Sequence, residues 1–166
     1  MGFNKLTISC KTIIKREIKL LLIFYLLCNL ISCALKPIPA KIPYIKKDSQ
    51  VNIESLGKGK ILVYNGAGIM HKIDDTARLN IWIDDKPLGQ LKANEYVIID
   101  LENKKHSFDI LHLDVFKMKT HYEIDINDQT KVLKIRPTFF SNKLEIENKL
   151  PTNFDNYTYS SNKVNL

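Results

Sequence analysis

The side chains able to do chemistry are few and unevenly spread. Three cysteines stand at positions 10, 28 and 33, and none follows among residues 34–166. Cys33 ends the tetrad Leu30-Ile31-Ser32-Cys33. Its thiolate is a strong nucleophile and can form a thioether. The four histidines are His71, His106, His112 and His121. His121, Glu123 and Asp125 alternate as they would along one face of a strand. Neighbours on such a face are ~7 Å apart, too far to share a divalent ion without a second strand. A solvated outer face is the reading adopted here, and no metal site is assigned. Asp125-Ile126-Asn127-Asp128 opens like a calcium loop but has neither the sixth-position Gly nor the twelfth-position Glu. No Gly-x-Ser-x-Gly elbow occurs, and Gly57-Lys58-Gly59-Lys60 has the wrong spacing for a phosphate loop. No nucleophile–base or acid–base pair is identifiable, so neither enzyme activity nor a cofactor is expected.

The setting of Cys33 is more informative. Residues 1–19 are basic, and the apolar run Leu20–Ile31 follows directly. The run is about a dozen residues long, against the ~20 that cross a hydrocarbon core. This layout matches a cleavable secretory signal. Leu30-Ile31-Ser32-Cys33 resembles the lipobox recognised by the lipoprotein signal peptidase. That resemblance implies that residues 1–32 are removed and that Cys33 receives diacylglycerol on its sulfur and often an acyl chain such as palmitate on its amino group. Two or three acyl chains anchor durably where one is marginal. Ala34 in place of Asp implies, by the same resemblance, sorting to the outer membrane, facing the periplasm or the cell surface.

Charge follows the same division. Residues 1–32 carry five basic side chains and Glu17, leaving 20 basic and 17 acidic residues in the remainder, a net +3. That is too weak for a nucleic-acid footprint, so the expected partners are the membrane, through lipid on Cys33, and an envelope protein or the cell wall. Without later cysteines the domain depends on its apolar core, and about 130 residues can bury roughly two-thirds of the unfolded chain's surface.

Residues 33–58, with Pro37, Pro39 and Pro43, read as the lipidated Cys and an extended tether that lifts a domain off the bilayer. From Gly59 the pattern changes to short runs of β-branched and aromatic residues between turn signals. Strands are expected at Lys60–Asn65, Leu79–Asp84, Leu88–Lys92, Glu95–Leu101, Lys105–Val115, Lys119–Asn127, Lys131–Arg136 and Lys143–Glu147. Leu79, Ile81 and Ile83 alternate against Asn80, Trp82 and Asp84. Tyr122, Ile124 and Ile126 oppose His121, Glu123 and Asp125. No helical periodicity appears after the signal. The expected fold is all-β, an antiparallel sandwich of seven to eight short strands over residues 59–148, followed by a loose polar tail at 149–166 into which Phe154, Tyr157 and Tyr159 introduce docking aromatics.

Asn80-Ile-Trp-Ile-Asp-Asp-Lys-Pro-Leu-Gly-Gln-Leu-Lys92, followed by Glu95-Tyr96, resembles the "vyvDGkkvGeLkngsY" segment of a domain-of-unknown-function family found in bacterial lipoproteins, and PEGA-type domains share the pattern. The family's "PGkH" turn corresponds to Lys104-Lys105-His106, with Glu102-Asn103 in place of Pro-Gly, and Asn65 stands where an arginine often follows the first tyrosine. The resemblance spans roughly residues 59–137 and implies no catalytic residues. Its spacing is mechanical: Asp84-Asp85-Lys86 turns the chain, Gly89 allows close backbone approach, and Tyr96 fills the core beneath the hairpin.

Candidate partner contacts are Ile69 and Met70, in the long connection from Gly66 to Arg78, and Trp82. The connection either caps the sandwich or forms a contact surface. Trp82 is either core of a second layer or an exposed anchor. The leading expectation is a non-enzymatic, lipid-anchored envelope module. The alternative is a small-ligand or metal-binding domain using surface histidines.

Overall fold

Runs of β-branched and aromatic residues, alternating with polar ones in some strands and unbroken in others, build nine strands among the described residues: β1 Lys60–Asn65, β2 Leu79–Ile83, β3 Lys86–Leu91, β4 Glu95–Asp100, β5 Lys105–Leu113, β6 Lys117–Asp125, β7 Val132–Pro137, β8 Asn142–Ile146 and β9 Thr158–Tyr159. The computed structural model describes residues 18, 19, 21, 35–45, 51–68, 77–114 and 116–160. The chain divides into two units, Met1–Cys33 and Ala34–Leu166, and the strands all belong to the second. They form a five-stranded sheet ordered β8-β7-β1-β4-β9 and a four-stranded sheet ordered β3-β2-β5-β6. The expected sandwich is therefore present, and its eight expected strands form with ends shifted by up to about two residues.

Two pairings are parallel, β1 with β7 and β4 with β9. The reason is topological. The chain leaves β6 and changes sheets near residue 131, at the end where β1 begins, and the Leu62 N–H bonds the Lys131 carbonyl. It then climbs beside β1 in the same direction.

Between the sheets, one face of every long strand supplies the core: Ile61 and Val63, Leu79, Ile81 and Ile83, Val97 and Ile99, Phe108 and Ile110, Leu133 and Ile135. The β2–β3 hairpin closes through Asp84 and Asp85, at φ 49° and 61°. Both central residues then lie in the left-handed region that a twisted two-residue hairpin requires, which aspartate tolerates better than most residues. Gly89, at φ 116°, follows a register shift at which Ile81 pairs with Gly89 and Trp82 with Pro87. The extra residue, Leu88, is buried.

A second apolar cluster covers the outer face of the five-stranded sheet. Leu62, Tyr64, Tyr96, Ile98 and Val132 point into it, and Ile45, Val51, Ile53, Leu56, Leu150, Phe154, Tyr157 and Tyr159 close over them. Tyr96 therefore lies beneath the C-terminal segment, 4.9 Å from the Phe154 ring and 5.7 Å from the Tyr159 ring, and not beneath the β2–β3 hairpin as its spacing had suggested. The segment expected to be a loose tail is packed as far as Ser160, because its aromatics have a bare sheet face to cover.

The expected tether is likewise bound to the domain. Ala40 and Ile42 are buried, and the Lys41 and Ile42 N–H groups both bond the Pro87 carbonyl on edge strand β3. Asn80 Nδ2 donates to the Lys36 carbonyl, Gln90 Nε2 to the Leu35 carbonyl, and the Tyr44 hydroxyl to the Leu88 carbonyl. Residues 35–45 form a strap that shields the free edge of β3, an edge otherwise open to pairing with another chain. The Tyr159 hydroxyl bonds the Ile45 carbonyl, joining strap to tail.

Candidate functional site

The outward faces of β2, β5 and β6 carry the side chains the fold leaves available. Trp82 on β2 stands opposite Asp109 on β5, which stands opposite His121 on β6. Asp109 accepts from Lys119 Nζ at 3.1 Å and lies 3.0 Å from His121 Nδ1. Burial pushes its carboxyl up, but the bonds from His121 and Lys119 outweigh this and hold it below the usual carboxylate range. Trp82, Asp85, Asp109, Leu111 and Lys119 line a hollow of about 300 Å³. Trp82 is half-buried, so it is neither core of a further layer nor fully exposed. An indole and a leucine with an acid and a base at the rim suit adhesion to an amphipathic surface. Asp109, held below the usual carboxylate range and already bonded by His121 and Lys119, is poorly placed to donate a proton.

No family model, curated protein or solved structure gives a significant match to this chain. Its functional reading therefore comes from its residues and their placement.

Leu30, Ile31, Ser32 and Cys33 lie outside the described residues, as do Ile69, Met70 and His71. Two of the remaining histidines are inside the domain. His106 is buried with Nδ1 2.6 Å from Asp84 Oδ2 and Nε2 2.9 Å from the Glu102 carbonyl. His112 is buried with Nδ1 2.8 Å from Asn142 Oδ1. Among the described histidines only His121 faces outward, paired with Asp109, while Glu123 pairs with Lys105. Among the described residues, no three His, Cys, Asp or Glu side chains converge as a metal centre would need. A binding role for surface histidines thus finds no grouped donor set there.

Four buried amides, which periodicity does not reveal, position the rest. Asn142 donates from Nδ2 to the carbonyls of Ile110 and Met118, clipping β8 to the opposite sheet. Asn65 donates to the carbonyls of Ala77 and Leu91, tying the end of β1 to the end of β3. Asn80 and Gln90 bond each other and hold the strap. Buried polar groups of this kind are costly unless satisfied and, once satisfied, fix one arrangement.

Strand order also gathers the β1–β2, β3–β4, β5–β6 and β7–β8 connections at one end of the sandwich. Large apolar side chains stand out there: Phe116 is 69 % exposed, Phe139 68 % and Phe140 88 %. Thr138-Phe-Phe-Ser141 is a legible signal, an aromatic pair at a turn between two strands where polar residues are the rule.

Proposed function

We propose that this chain is the precursor of a lipid-anchored cell-envelope protein whose β-domain is a non-enzymatic interaction module. Residues 1–32 serve as the secretion signal, and Leu30, Ile31 and Ser32 present Cys33 for diacylglyceryl attachment. The mature protein is held at the outer membrane, with its domain in the periplasm or at the surface. Support for the anchor comes from the basic start, the short apolar run and the tetrad ending in Cys33. Asp84 and His106, which the resemblance to the lipoprotein domain of unknown function sets on its "DG" and "PGkH" turns, lie 2.6 Å apart.

The binding role is carried by one observation, the half-exposed Trp82 beside Leu111 with Asp85 and Lys119 at the rim. Tryptophan is among the residue types enriched at binding hot spots, where a partner desolvates it. In crosslinked envelopes, Trp82→Ala should keep the melting temperature and lose the crosslinked partner. Crosslinks unchanged in that variant would remove Trp82 from the interface. Cys33→Ser should accumulate as a larger precursor that takes up no labelled palmitate, and normal processing of that variant would refute the anchor.

A further inference from the structure

The strap has a direction. Its Lys41 bonds Pro87, close to the β2–β3 turn, whereas Lys36 and Leu35 bond Asn80 and Gln90, one row short of the far end of β3. Read back from Lys41 to Leu35, the chain therefore travels toward the end that carries Phe116, Phe139 and Phe140. Leu35 is fixed there, and position 33 is only two links earlier in the chain, within about 7 Å at most. Exposed Lys92 and Lys117 sit at the ends of β3 and β6 on this same side.

We propose that this end of the domain lies on the bilayer. Resting on the reading of Cys33 as the lipidated residue, the inference assigns the three phenylalanines to the boundary between headgroups and acyl chains of an anionic phospholipid surface. Lys92 and Lys117 face the phosphates. The Cys33 acyl chains enter the same leaflet beside them, because the strap leaves too little chain to hold the domain away. Exposed aromatic side chains bind the interface by burying apolar area, and flanking lysines add attraction to anionic lipid. The Trp82 hollow, on the side of the sandwich, stays open to a protein partner.

The test uses the full chain, expressed so that it can be processed, then reconstituted in vesicles of phosphatidylethanolamine and phosphatidylglycerol. An environment-sensitive fluorophore is attached through Phe140→Cys, or through Gln129→Cys at the opposite end. Mass spectrometry of the same samples reports acylation. The expected result is an acylated protein whose label at 140 is blue-shifted and quenched by nitroxide-bearing lipid, while the label at 129 is neither. An acylated protein with both labels equally aqueous overturns the inference and leaves the anchor standing. A label at 140 that is aqueous on vesicles but crosslinks to an envelope protein in cells also overturns it, in favour of a protein dock. A chain that is never cleaved or acylated overturns both readings together.

Discussion

Asp84 performs two tasks with one carboxylate. Its backbone supplies the first left-handed residue of the β2–β3 turn, and its side chain accepts from the Ser107 N–H at 2.9 Å while facing His106. Burial raises its pKa, but the bonds from Ser107 and His106 prevail, so the carboxyl sits below its ordinary value. A group depressed on folding contributes stability above its unfolded pKa of about 3.9, and that contribution is lost as pH falls through the lower folded value. Asp84→Asn should therefore lower the melting temperature at pH 7 and flatten its decline below about pH 4. Equal acid slopes in the two proteins, measured by thermal melts across pH, would remove Asp84 from this role. By contrast, Lys105–Glu123 and Lys104–Glu102 are exposed pairs, which typically contribute little. The Asp84–His106 bond was not readable from sequence, since 22 residues separate the partners. Asn65, Asn80 and Asn142 were equally silent, because an asparagine in a strand looks the same whether it clips two sheets or faces water.

At the scale of elements, the strands were legible and their covers were half-legible. β1 and β4 read as unbroken apolar runs, Ile61-Leu-Val-Tyr64 and Tyr96-Val-Ile-Ile99, where a sheet with one wet face would alternate. Both faces had to be covered, and the chain holds the covering residues in Ile42, Ile45, Val51, Ile53 and Leu56 before β1 and in Phe154, Tyr157 and Tyr159 after β8. Prolines and polar residues between them gave these stretches the composition of tether and tail. Burial, not composition, decides the matter. A protein begun at residue 50, without the strap, should melt lower than one begun at Ala34, and a protein ended at Pro151 should melt lower still, since it uncovers Tyr64 and Tyr96. Equal midpoints for all three would return both segments to the status of linkers. The hollow at Trp82 falls between these cases. Trp82 was identifiable by type, but Leu111 and Lys119 become its neighbours only through the β5–β6 register.

The whole molecule has no thiol after Cys33 available for a crosslink, so its cohesion rests on two apolar layers sharing one sheet. The unit Ala34–Leu166 should unfold in a single cooperative transition, with a β-dominated circular dichroism spectrum and no response to reductant. Replacing fully buried Ile81 by Ala should cost about 2–5 kcal/mol in denaturant titration. Two separate transitions would mean that the layers fold independently. The parallel pairing of β1 with β7 carries a further consequence, for assembly in time. Leu62 meets Val132, seventy positions later, and the Ile45 carbonyl receives the Tyr159 hydroxyl from more than a hundred positions on. A chain delivered from its N-terminus thus presents β1 long before its neighbour on one side exists, with Ile61-Leu-Val-Tyr64 bare in the interval. Contacts this distant form slowly, and unpaired apolar strands associate with whatever is near. Synthesis therefore leaves β1 in need of shielding until the C-terminal cover arrives, and a chain ended before Tyr159 should be cleaved faster by added protease than one that includes it.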